Sequence, residues 1–139
     1  MKTVVFSLFL LLNFSAFAQD DCLLGIGGKD DEVIAEVFQL NDEQQEKLRN
    51  WSAELKIRNG ILKEKADFLI KKHEESSIEE LLKVSPEYGN ILDSMKQNVR
   101  MMDKRLLATL NPKQYEFYME LCSKLTLRPI YIDRSVDEK

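Results

Sequence analysis

Side chains able to do covalent or metal chemistry are few in this 139-residue chain, and they are poorly grouped. The one histidine, His73, is followed by Glu74 and Glu75 and has no second imidazole to complete a metal pair or a proton relay. These residues read as the solvated end of a helix, and no metal ligand set is assigned. The stretch Gly25-Ile26-Gly27-Gly28-Lys29-Asp30 has the glycines and lysine of a phosphate loop. It lacks the first Gly at the required offset, carries Asp30 where Ser or Thr should hold magnesium, and follows no strand. It reads as a loop. Asn50-Trp51-Ser52 fits a glycosylation acceptor but lies inside a helical pattern. No catalytic constellation emerges, so no cofactor is assigned. The chain reads as a binding protein, with a hydrolytic enzyme the least favoured class.

Cys22 and Cys122 are the only thiols. An intramolecular disulfide between them would pin the N-terminal arm to the last helix. A buried thiol at Cys122 and a link between subunits through Cys22 are the alternatives. The compartment favours oxidation, because residues 1–18 have the marks of a cleaved secretory signal: Lys2, an apolar run from Val4 to Leu12, and the small-x-small ending Ala16-Phe17-Ala18. That run is shorter than the roughly 20 apolar residues of a membrane span, and no later segment is a candidate. Removing residues 1–18 takes away Lys2 and no acid, moving the formal charge from −4 to −5, which argues against a nucleic-acid partner.

The remaining length suits one domain with a modest core, expected over residues 30–127. Residues 19–29 would form a flexible arm before it, and 128–139 an extended or frayed tail after it. Leu40-Asn41-Asp42-Glu43-Gln44 and Leu110-Asn111-Pro112-Lys113-Gln114 repeat one phrase where helices must begin. Asn fits the N-cap, and Gln three residues on can reach back to complete a capping box. Pro112 suits the first helical position, and Leu110 is placed to staple against Tyr115; Gln45 occupies the matching place in the first copy.

The helices follow from apolar spacing. A short one begins at Asp30 or Asp31 with Val33, Ile34, Val37 and Phe38 as its apolar side. A long amphipathic helix runs from Asp42 to about His73, with Leu48, Leu55, Leu62 and Leu69 in one row and Ile57, Ile61 and Phe68 in another. Ser77 and Glu80 form a capping box for a short helical turn, Ser85-Pro86 punctuates, and a further helix spans Pro86 to Leu110 with Leu92, Met95, Val99, Met102 and Leu106 as its seam. A last helix covers Pro112 to about Leu125. The fold class is all-α, and short heptad runs between loops favour an antiparallel hairpin of long helices with short flanking ones.

Leu, a small polar cap, two variable residues and Gln, written twice about one long hairpin apart in a small exported helical chain, resembles the paired LTxxQ motif of the Spy and CpxP family of periplasmic proteins. The likeness covers roughly Leu40 to Leu125, with Asn in place of the family's Thr. It implies a thin, curved, all-helical homodimer in the periplasm that acts as an ATP-independent holdase on unfolded or partly folded envelope proteins. The same likeness allows a sensor or regulatory partner of a stress- or metal-response system. Residues suited to grip such clients are the basic rows Arg49, Lys56, Lys63 and Arg58, Lys65, Lys72, the apolar row Ile57, Ile61, Phe68, and Lys96, Arg100 and Lys104 beside Met101. Long basic stems can cover apolar surface while their ends stay wet, and Met repacks readily.

Overall fold

The computed structural model describes residues 19–132, and over these the chain is all-helical. The expected signal segment, 1–18, and the acidic end, 133–139, lie outside the described residues. Four helices follow one another: α1 Asp31–Val37, α2 Asp42–Lys72, α3 Ile78–Thr109 and α4 Pro112–Lys124. Among the described residues no helix is long and apolar enough to cross a membrane.

The start signals act as their chemistry requires. Asn41 and Asn111 each accept a bond from the backbone N–H of the Gln three residues on, and each Gln side chain accepts from the cap's own N–H. Ser77 and Glu80 form the third such box. Each arrangement satisfies two N–H groups that a helix start otherwise leaves unpaired. In the first copy Gln45 Nε2 donates to the Leu40 carbonyl at 2.8 Å, a polar tie where the second copy carries Tyr115. Asp30 caps α1 by position only, with no side-chain bond, and of the expected apolar side Ile34 and Phe38 are buried while Val33 and Val37 are exposed.

Pro86 does not end a helix. It is the ninth residue of α3, which runs unbroken from Ile78, so the expected short turn and separate helix are one element. Proline withholds one backbone bond in a helix interior and crowds the preceding turn. Val84, Tyr88 and Ile91 flank it half-buried, and the helix continues through it.

α2 and α3 make most of the tertiary contacts, in reversed order along the two helices. Gln44 meets Thr109, Glu54 meets Arg105, and Asn59 meets both Asn98 and Met95. The core is gathered at one end of this pair. Leu48 and Leu55 of α2, Met102, Leu106 and Leu107 of α3, and Tyr118 and Cys122 of α4 close it with Ile34, Phe38 and Leu40. Between residues 56 and 101 only Ala66 and Leu69 are buried. Leu62 and Met95 are half-exposed and Leu92 more so, hence the expected rows pack only toward the base.

The arm expected over 19–29 is irregular in conformation, but its residues are part of that base. Ile26 is 2% exposed and Cys22 6%. A Cys22–Cys122 disulfide joins the arm to α4, and the thiols are consumed within one chain. Gly27 has φ +85°, and a Cβ there would lie 2.9 Å from Leu55 Cδ2, so only glycine lets the loop press onto α2. The start of the tail is also seated: Ile130 is 1% exposed, and Cys22 N–H and Arg128 N–H bond across to the carbonyls of Arg128 and Asp20.

Candidate functional site

The repeated motifs converge. Gln44 and Gln114 are both buried, and their amides pair reciprocally: Gln44 Nε2 donates to Gln114 Oε1 at 2.9 Å, and Gln114 Nε2 donates to Gln44 Oε1 at 3.1 Å. Each amide keeps its capping bond while donating to the other copy's surroundings. Gln44 Nε2 reaches the Thr109 carbonyl at 2.8 Å, and Gln114 Nε2 reaches the Phe38 carbonyl at 2.9 Å. Two local start signals are thus one polar knot that binds the α1–α2 and α3–α4 joints. Leu40 and Leu110 are buried beside it, and Asn41 and Asn111 are exposed caps.

A second knot holds the arm. Asp103 is fully buried on α3 and accepts from Leu24 N–H at 2.7 Å and Ile26 N–H at 3.4 Å. Burial pushes its carboxyl up to about 6, against the downward pull of the Leu24, Ile26 and Gly25 N–H groups. Tyr118 O–H donates to the Cys22 carbonyl at 2.9 Å and accepts from Ile130 N–H at 2.8 Å, so arm and tail meet on one hydroxyl. Burial raises the Tyr118 pKa. Asp21 pairs with Arg100 and with Arg128, whose hydrogen bond holds the Asp21 carboxyl below its usual value. Sequence reasoning missed Asp103, although its place between Met102 and Leu106 puts a carboxylate beside the apolar seam.

The expected client-binding residues do not form one surface. Steps of about 100° per residue set Ile57, Ile61 and Phe68 close together on α2, with Arg58, Lys65 and Lys72 about 60° away. Arg49, Lys56 and Lys63 lie on the other side of the apolar row, about 120° from it. Ile57, Ile61 and Phe68 are 66%, 53% and 68% exposed. Phe68, Lys65 and Lys72 line an open cleft of about 420 Å³ with Leu62, Leu69 and Ile91. Arg58 is held by Glu54 at 2.8 Å and Lys63 is paired with Asp67, which reduces their free charge.

On α3 the reading needs correction. Arg100 is engaged with Asp21 and anchors the arm. Met101 is half-buried against the core, its sulfur 3.8 Å from Arg105 Nη2, so it is not an open contact. Lys96 and Lys104 are exposed. His73 Nδ1 lies 3.1 Å from Ser76 Oγ, a local turn contact. Among the described residues no group of three or more His, Cys, Asp or Glu side chains is arranged to hold a metal ion. Compared with protein-family models, curated proteins and solved structures, the chain matches none of them.

Proposed function

We propose that this chain is an exported, ATP-independent holdase, built as an antiparallel hairpin of long helices, that works in the periplasm as an elongated dimer related in kind to Spy and CpxP. The supporting observation is the row Ile57, Ile61 and Phe68. These large apolar side chains stand in water on a stretch of helix pair with almost no core behind it, next to Lys65 and Lys72. A monomeric fold gains nothing by exposing them, and contiguous exposed apolar residues mark places where another chain binds.

Such a face suits partly unfolded clients. Their apolar side chains can meet Phe68 and its neighbours while client acids meet the lysine ends, and binding the unfolded form lowers its free concentration without catalysis. No step of that action calls for a cofactor or a reacting group. The test is light scattering from a denatured secreted protein, with and without an equimolar amount of this chain and no nucleotide. Suppressed scattering is expected for the native sequence and not for Phe68→Asp. Unchanged scattering with the native protein, together with one stoichiometric partner in a periplasmic pull-down, would replace the holdase with the sensor reading.

A further inference from the structure

Asp103 is the one buried acid among the described residues, and no cation stands within ion-pair distance of it. A carboxylate taken out of water is ordinarily matched by a cation or takes up a proton. The partners of Asp103 are instead backbone N–H groups of one short loop: Leu24 at 2.7 Å, Ile26 at 3.4 Å, and Gly25 between them. Gly25 has φ +78°, a left-handed step that lets successive N–H groups turn toward one anion. This loop has fixed ends. Cys22 is bonded to Cys122 of α4, and at the other end Asp31 of α1 accepts from Gly27 N–H at 2.9 Å. Of residues 23–30 only Ile26 is buried, so Asp103 is the polar tie between the loop and α3.

Tyr118 on α4 feels the Asp103 charge, and burial raises its pKa, so it stays neutral in mild acid and at neutrality. Arg100, one turn back on α3, keeps its charge throughout and is engaged with Asp21 of the arm, whose carboxyl Arg128 of the tail holds below the usual value. α2 sends Leu48, Ser52 and Leu55 into the base, none of them ionisable. The single imidazole, His73, caps the far end of α2. Asp103 itself titrates at about 6, because burial outweighs the pull of the three N–H groups, and its charge therefore changes between mild acid and neutrality. Once ionised, the carboxylate gains by reaching water, and lifting the loop admits it.

We propose that residues 23–30 are a pH-dependent latch: protonated Asp103 keeps the loop seated on the base, and ionised Asp103 lets it lift while the disulfide and α1 hold its two ends. Lifting takes Ile26 out of the core and uncovers Leu55, the α2 side chain that lies against Gly27. The base then offers an apolar opening at neutral pH that is shut in mild acid. This device is independent of the holdase reading and of the number of copies in the assembly.

Amide hydrogen exchange of the native, disulfide-bonded chain, read residue by residue by NMR, tests this. After correction for the intrinsic pH dependence of exchange, the opening constants of the Leu24 and Ile26 amides should rise about tenfold from pH 5 to pH 7, as follows from a carboxyl at about 6 when seated and near 3.8 when wet. At both values they should exceed the opening constant of the Leu106 amide, which reports unfolding of the whole domain. The carboxyl carbon shift of Asp103 should titrate over the same range. Asp103→Asn should remove the pH dependence of loop opening. If that variant does not fold, the titration and exchange of the native chain decide alone. Loop amides that open no more readily than Leu106 at pH 7 overturn the proposal, because the loop then leaves only with the fold. So does loop opening that is the same at pH 5 and pH 7, or an Asp103 carboxyl that stays ionised across that range.

Discussion

Gln44 and Gln114 stand 70 positions apart and hydrogen-bond amide to amide, each while completing its own helix cap. Removing either amide strands buried partners on the other helix joint. Unsatisfied buried polar groups cost about 1–3 kcal/mol. Gln44→Ala and Gln114→Ala are each expected to destabilise by about that amount in urea titrations, and their double-mutant cycle to show about 1 kcal/mol or more of coupling. Additive effects would mean that the caps act independently.

The Cys22–Cys122 bond closes a loop of 100 residues. In the chain-entropy model such a loop contributes up to about 4.7 kcal/mol. Cys22→Ser with Cys122→Ser, or reduction, should therefore lower the Tm and free residues 19–26 to proteolysis. A Tm unmoved by reductant would show that Asp103 and Tyr118 hold the arm unaided.

Asp103 predicts an unusual pH response. Its folded carboxyl, at about 6, lies above the unfolded value of 3.8, so the native state binds the extra proton between those values. Its contribution to stability is fully present below about 3.8 and is lost as pH rises through about 6, a swing of about 3 kcal/mol. Asp21, Glu43, Glu54 and Glu120 act in the opposite sense, since ion pairs lower their values and their support disappears on acidification below the normal carboxylate range. Stability should thus peak in mild acid, near pH 5, and Asp103→Asn should flatten the fall between pH 5 and 7. Denaturation midpoints across that range are the check.

Gly60 lies inside α2 with nothing within 4 Å of where a Cβ would stand. Gly60→Ala should stabilise the chain by up to about 1 kcal/mol, read as a higher urea midpoint with unchanged slope.

Local chemistry was legible and distant contact was not. Asn41, Ser77 and Asn111 announced their helices because a cap and its partner sit three residues apart, within reach of any reading of the chain. Pro86 misled because its local cost is real, yet α3 runs unbroken through it. Ile26 and Ile130 sit among glycines and near a proline, in segments that look like an arm and a tail, and what seats those segments is a disulfide spanning 100 residues and the Tyr118 hydroxyl, which bonds both the Cys22 carbonyl and the Ile130 N–H. The reassignment of Arg100 has the same origin, because Asp21, its partner, is 79 residues away. The exposed row Ile57, Ile61 and Phe68 and the split between the two basic rows beside it were both readable from helical spacing.

Because the buried residues, the disulfide and both polar knots are gathered at one end, the two long helices are fastened at the base and meet with few buried side chains beyond Asn59 and Asn98. Amide protons near the turn at residues 73–77 can exchange through local opening, while those around Leu106 and Tyr118 exchange only when the whole fold gives way. The pair is thus closed at both ends, by the rivet at the base and by the short turn at residues 73–77, and the far turn frays first while the base holds.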